Sequence, residues 1–364
     1  MTLLSRFRGC LLGGAVGDAL GAPVEFLTLA QLHERYGPHG IRDMDEAYGR
    51  VGAITDDTQM TLFTAEGLLR AHLRAMTKGI EGAAVRLVRD AYLRWLHTQG
   101  VPLRRAARER LLSEGRGWLL DQKALFSQRA PGNTCIGALL HAGEDELAAR
   151  NTSKGCGGVM RVAPVALYAA TAWRNHPDAD AAAFRLAMEV GGITHGHLTS
   201  HLSCGVLAVL LAGVLRGDSI NTALGTAMNL LRGHETGGET ERAVEQAREL
   251  ATAGVEAPEA IPKLGQGWIA EEALAIAIYC ALMADDFETG IVMAVNIEGD
   301  SDSTGSITGE ILGAALGEEA IPERWLRELE LREVVTAMAE DFLQLAQAPY
   351  PELAESWLAR YPPF

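Results

Sequence analysis

Two aspartates stand side by side in ITDDTQM, Asp56 and Asp57, and two more lie one residue apart in GDSDSTG, Asp300 and Asp302. Each pair falls where a helix would begin, with an apolar run behind it. Thr55 can cap the first helix, and one acid in a first turn gains about 0.3–1 kcal/mol from the helix dipole. A second acid is poorly explained this way, because adjacent carboxylates repel unless a cation or a proton lies between them. Thr55, Asp56, Asp57, Asp300, Asp302 and Ser303 together offer four carboxylates and two hydroxyls. These are hard oxygen donors suited to magnesium, manganese or calcium rather than zinc. If the two helix starts face one another, a dinuclear metal site follows. On residue types alone, capping and metal binding both account for the acids.

Other readings of these stretches fare worse. An EF-hand loop begun at Asp300 would want Asp or Asn at 304 and Glu at 311, where the chain has Thr304 and Ile311. Asp300 to Thr304 also match the Asp-x-Asp-x-Thr pattern of phosphatases with an aspartate nucleophile. Those enzymes need alternating strands and helices, of which only IVMAVNI hints here. His195, His197 and His201 in THGHLTSH lack the companion acid or cysteine cluster of a zinc site. SKGCGGVMR reads as a glycine-rich loop opening a helix, suited either to a tight turn or to receiving a diphosphate on backbone N–H groups.

The elements that must position these groups read as helices. Apolar residues recur at three- and four-residue spacing in TQMTLFTAEGLLRAHLRAM, GVMRVAPVALYAAT, LSCGVLAVLLAGVLRG and WIAEEALAIAIYCALM. GIVMAVNIEG is ambiguous between a buried strand and a helix. Glycines fall at 9, 13, 17 and 21 and again at 305, 309, 313 and 317, a stripe along one face of each helix. Each interior glycine costs about 1 kcal/mol relative to alanine, which points to close backbone approach. The N-terminal helix and the helix after Asp300 are therefore expected deep in the fold and near each other.

Composition bounds the rest. Of 364 residues, 48% are hydrophobic and only 6% aromatic, as in cores built from small aliphatic side chains on packed helices. Thirty-two basic against 47 acidic residues give a net charge of −15, which argues against nonspecific binding to nucleic acid or anionic lipid. The five cysteines are scattered without paired spacing, so a reducing cytoplasm is expected. Asp18 interrupts the apolar stretch near the N-terminus, which argues against a signal peptide. The longest apolar runs are about a dozen residues, short for a bilayer, and no membrane partner is expected. The basic stretch LRRAARERLLSEGRGW reads as a solvated face, and GHETGGETERAVEQARELATAG as an exposed hairpin or insertion. No linker divides the chain, so one domain over residues 1–364 is expected.

The motifs GCLLGGAVGDALGAPVEF, ITDDTQM, APGNTCIGAL, NTSKGCGGVMRVAPVAL, THGH, LGQGWIAEEALAIAIYCAL and GDSDSTGSITGEILGAALG occur in the order found in the ADP-ribosylglycohydrolase family. The chain resembles that family over residues 9–317, with 318–364 a C-terminal helical extension. The resemblance implies a compact, orthogonal, all-α multi-helix domain. It also implies two Mg2+ or Mn2+ ions held by Thr55, Asp56, Asp57, Asp300, Asp302 and Ser303. The implied activity is hydrolysis of the ribosyl glycosidic bond of ADP-ribosylated proteins, with ADP-ribosyl-arginine the first choice. Water would attack C1 of the ribose with Asp57 or Asp302 as base, and the carboxylates would stabilise oxocarbenium-like charge. Glu25 resembles the family's active-site glutamate, while Asp18 is read as a brace. Asn133, Thr134, Ser153, Lys154, Gly155, Gly157, Gly158, His195 and Trp268 become the expected ADP-ribose contacts. Serine-linked, nucleic-acid-linked or small-molecule conjugates remain alternatives, as do a non-catalytic ADP-ribose binder and a toxin-neutralising protein. A monomer is expected.

Overall fold

The computed structural model describes residues 1–103, 109, 116–143, 146–234, 237–347 and 355–363. In chain order the helices are α1 (Leu3–Gly21), α2 (Leu29–Tyr36), α3 (Asp56–Lys78), α4 (Ala84–Thr98), α5 (Asn133–His141), α6 (Ala163–Ala172), α7 (Ala179–Gly192), α8 (Leu198–Arg216) and α9 (Ile220–Leu231). They continue with α10 (Gly238–Thr252), α11 (Ala257–Leu264), α12 (Ala270–Met283), α13 (Phe287–Val295), α14 (Ser301–Leu316), α15 (Glu323–Glu328), α16 (Arg332–Gln347) and α17 (Glu355–Arg360). Among the described residues the only sheet is a hairpin, β1 (Glu46–Ala47) against β2 (Arg50–Val51), turned by Tyr48 and Gly49. The fold is all-α, as the helical periodicities imply.

The glycine stripes do what close approach requires. α1 and α14 run antiparallel, so that Gly9 meets Gly313, Gly13 meets Gly309 and Gly17 meets Gly305. A Cβ on any of these would overlap the opposing carbonyl, so the two backbones touch along the whole stripe. The seam directs the C-terminal end of α1 to the N-terminal end of α14. Around it the other helices bury one apolar core that reaches from Phe7 to Tyr361.

α8 is 19 residues long and apolar enough to cross a bilayer by length and composition, longer than the apolar run alone suggests. Yet 89% of its apolar window is buried inside the fold, which makes it a core helix. GIVMAVNIEG resolves as α13, started by a capping box between Asp286 and Thr289. The polar segment 233–254 is mostly helix rather than hairpin. Thr240, Val244 and Ala247, at helical spacing, bury one face of α10. Most of the basic stretch, residues 104–108 and 110–115, lies outside the described residues.

Candidate active site

Antiparallel packing places Asp18, and Glu25 in the turn that follows α1, against the start of α14. α3 begins at the same point. The Asp18 carboxylate accepts from the Thr55 N–H at 3.0 Å on each oxygen, from the Thr58 N–H at 3.1 Å and from the Thr58 hydroxyl. Asp18 is thus consumed in fixing the first turn of α3 to α1, rather than in bracing the glycine-rich turn as expected. The Thr55 hydroxyl accepts from the Asp57 N–H at 3.2 Å as the helix cap and also faces the Asp302 carboxylate. The two helix starts therefore meet.

At α14 the acids are not spent on capping. Asp300 occupies the cap position without a capping bond, and its carboxylate accepts from the Cys156 thiol at 2.7 Å. Asp302 accepts from the Ser303 N–H at 2.9 Å. Carboxylate oxygens of Glu25, Asp300 and Asp302 lie within 4.8 Å of one another. Asp57 Oδ1 and Glu25 Oε2 are buried without a hydrogen-bond partner. Asp18, Glu25, Asp56, Asp57, Asp300 and Asp302 are all buried, and among the described residues no lysine or arginine side chain forms an ion pair or hydrogen bond with any of their carboxylates.

The electrostatics follow. Burial first, and then the charge of Asp302, push Asp18 up to about 7 and Glu25 up to about 11. The same two causes hold Asp56, Asp57 and Asp300 well above the usual carboxylate range, and burial raises Asp302. Such a cluster is stable only with protons or cations among its oxygens. Orphaned oxygens and an all-oxygen donor set fit a hard divalent cation.

A buried frame holds the α3 start. The Asp56 N–H donates to the Arg129 carbonyl at 3.0 Å, and the Gly132 N–H to Asp56 Oδ2 at 3.4 Å. The Arg129 guanidinium donates to the Ile54 carbonyl at 3.1 Å and to both Glu330 oxygens at 3.0 and 3.2 Å. The C-terminal extension thereby reaches the site through Glu330.

The expected nucleotide contacts fall into three groups. Asn133 and Thr134 open α5, and the Thr134 hydroxyl lies 3.3 Å from that of Ser153. All three line a cleft of about 560 Å3. The glycine loop forms a short 3-10 turn, Cys156–Gly158, with α6 starting only at Ala163. Its backbone pairs with the segment around Trp268: the Cys156 N–H donates to the Trp268 carbonyl at 3.1 Å, and the Ala270 N–H to the Lys154 carbonyl at 2.9 Å. The Lys154 ammonium is engaged by Glu271 and, at 3.1 Å, by Glu239.

His195 is 2% exposed and lies beneath the loop, where a Cβ at Gly155 or Gly157 would touch its ring at 3.2 or 3.0 Å. Burial, then the Arg161 charge, lower it to about 3, so the ring is neutral. Its Nδ1 lies 2.8 Å from the Thr194 hydroxyl. His197 caps α8 and His201 bonds the His195 carbonyl, so the three histidines serve separate ends. Leu198 is the first residue of α8.

Sequence reasoning missed three residues beside the carboxylates. Phe26, next to Glu25, stacks on Trp268. Tyr48 sits at φ +51 on the hairpin tip, its ring beneath Arg129 at 5.4 Å. Burial, then the charges of Glu25 and Asp302, raise its hydroxyl pKa. Glu330 is the third. Gly49 was the one local hint of a turn beside Tyr48, whereas nothing local marks Glu330.

Comparison with known proteins assigns the chain to a family. The family model described as ADP-ribosylglycohydrolase matches residues 1–352. The ADP-ribosyl-[dinitrogen reductase] glycohydrolase of Rhodospirillum rubrum is 28% identical, over 90% of this chain and 91% of its own. The ADP-ribosylarginine hydrolase Tri1 of Serratia proteamaculans is 25% identical, over 94% and 80%. A solved structure titled ADP-ribosylglycohydrolase-related protein complex superposes with a TM-score of 0.66 at 32% identity, covering 94% of this chain and 99% of that one. The chain belongs to the ADP-ribosylglycohydrolase family and is a hydrolase of that kind.

Proposed function

We propose that this hydrolase cleaves the bond between ribose C1 and a guanidinium nitrogen of an ADP-ribosylated arginine side chain. In this reading Thr55, Asp56, Asp57, Asp300, Asp302 and Ser303 hold two magnesium or manganese ions. The observation that carries it is the convergence of two helix starts on buried carboxylates with orphaned oxygens at Asp57 and Glu25 and no basic partner among the described residues. When bound, the ions supply Lewis acidity towards the ribose hydroxyls and water. Asp57 or Asp302 takes the proton of the attacking water, and the carboxylates stabilise oxocarbenium-like charge as the C1–N bond breaks. Glu25 closes the set from the turn after α1.

Ser153, Lys154, Gly155, Gly157 and Gly158, with Asn133 and Thr134, receive the ADP-ribose. Lys154 serves through its backbone, because Glu239 and Glu271 already neutralise its ammonium. His195 supports the loop from below, and Trp268 lies at the rim. The names of the Rhodospirillum and Serratia relatives favour a protein substrate and, for the latter, arginine.

Release of free ADP-ribose is measured by mass spectrometry from arginine- and serine-modified proteins with magnesium, with manganese and with a chelator. Metal-dependent release from the arginine conjugate is expected. Release from serine alone would overturn the acceptor assignment, and release from neither would overturn the protein-hydrolase reading.

A further inference from the structure

Phe26 and Trp268 are 70% and 40% exposed, beside the most acidic interior region of the molecule. Their rings come from opposite ends of the sequence, yet they lie nearly parallel, 18° apart in plane with centroids separated by 6.2 Å. Both are tied to the carboxylate cluster. Phe26 follows Glu25 directly. Trp268 is two residues from Gln266, whose carbonyl accepts from the Asp300 N–H at 2.8 Å. Neither ring lines the cleft of Asn133, Thr134 and Ser153, so Trp268, expected among the ADP-ribose contacts, is reassigned here to the acceptor side. Among the described residues no arginine covers either face.

We propose that Phe26 and Trp268 form the acceptor subsite, taking the planar guanidinium of the modified arginine between or against their faces. The inference rests on the arginine reading above and adds the groups that recognise that acceptor. Aromatic faces attract cations, and a guanidinium, being flat and weakly hydrated, stacks on them better than an ammonium. Enclosing a flat group needs about 7 Å between ring planes, twice the ~3.5 Å contact distance. The centroids of the pair stand 6.2 Å apart, so the rings open to take the group between them or receive it against an exposed face. The aromatic faces attract a cation and not a neutral hydroxyl acceptor, so the pair separates arginine-linked from serine-linked substrates.

The test uses the full chain carrying Phe26→Ala or Trp268→Ala, with Phe26→Tyr and Trp268→Phe as conservative controls. Four quantities are read: KM and kcat on ADP-ribosyl-arginine, the same on ADP-ribosyl-serine, calorimetric affinity for methylguanidine, and affinity for free ADP-ribose. Each alanine variant is expected to raise KM for the arginine conjugate about tenfold with kcat changed less than about threefold. Methylguanidine binding is expected to disappear, ADP-ribose affinity to stay, and the conservative variants to restore the wild-type values. Equal KM changes on both conjugates, or unchanged methylguanidine binding, would overturn the subsite. Lost ADP-ribose affinity would overturn it in favour of adenine stacking. Methylguanidine binding needs no turnover, so a wild-type chain that binds it through these rings but releases nothing from arginine conjugates overturns the activity reading alone.

Discussion

The α1–α14 pair has two unlike ends. Where α1 begins and α14 finishes, charges are matched: Arg8 pairs with Glu318 at 2.8 Å and with Glu340 at 2.5 Å, and Arg6 donates to the Val214 and Ala314 carbonyls at 3.0 and 2.9 Å. Where α1 finishes and α14 begins, six buried acids converge with no cationic partner among the described residues. The same glycine seam joins both ends, so packing alone does not account for the difference. Within the acidic end Asp18 repeats the contrast, since it accepts from Thr55 and Thr58 while Asp57 leaves an oxygen without a partner. The matched end is satisfied by its own ion pairs, whereas the unmatched end leaves carboxylate oxygens without a partner.

Asp302→Asn probes the unmatched end most strongly. It is expected to lower kcat/KM for ADP-ribose release about a thousandfold, some 4 kcal/mol of transition-state stabilisation. Without metal, its unfolding midpoint is expected to stay level or rise as repulsion is relieved. A clear loss of stability in the metal-free variant would make Asp302 part of the frame instead.

Magnesium at about a hundred times its dissociation constant is expected to stabilise the wild-type chain by about 2.7 kcal/mol for each ion bound, seen in denaturant titrations and reduced in Asp302→Asn. The pH dependence separates the two states. In the metal-free chain the folded values of Asp18 and Glu25, about 7 and about 11, lie above their unfolded ones. The folded form then binds more protons, so stability is fullest below about pH 4 and is lost as pH rises through 7 for Asp18. Metal needs ionised carboxylates, so its stabilisation is expected to grow with pH over the same range.

Gly309→Ala tests the seam. The added methyl overlaps the Gly13 carbonyl, and a loss of about 2 kcal/mol or more is expected despite the better helix propensity of alanine. A neutral result would mean that the helices are not in backbone contact. Arg8→Met, at the matched but partly exposed end, is expected to cost less than about 1 kcal/mol, checked by the same titration.

Much of this arrangement was legible before any coordinates, because it is written in short periods. Glycines four apart announced the seam, and doubled acids at two helix starts announced the cluster. Supports that depend on distant pairing were not legible. Glu330 reaches Arg129 and Ile54 from 200 or more residues away, and Phe26 acquires its meaning only when Trp268 folds over it. His195 shows the reverse case. The resemblance implied a place near the nucleotide, but only packing shows the glycines of the Cys156 loop resting on its ring.

The central claim is that the acidic end binds metal. It is tested most directly by titrating the metal-free chain with Mn2+ and following free ion by electron paramagnetic resonance, for the wild type and for Asp302→Asn. Two ions bound per wild-type chain, with at least one lost in the variant, is the predicted result. No binding to the wild type, or binding unchanged by Asp302→Asn, would contradict it.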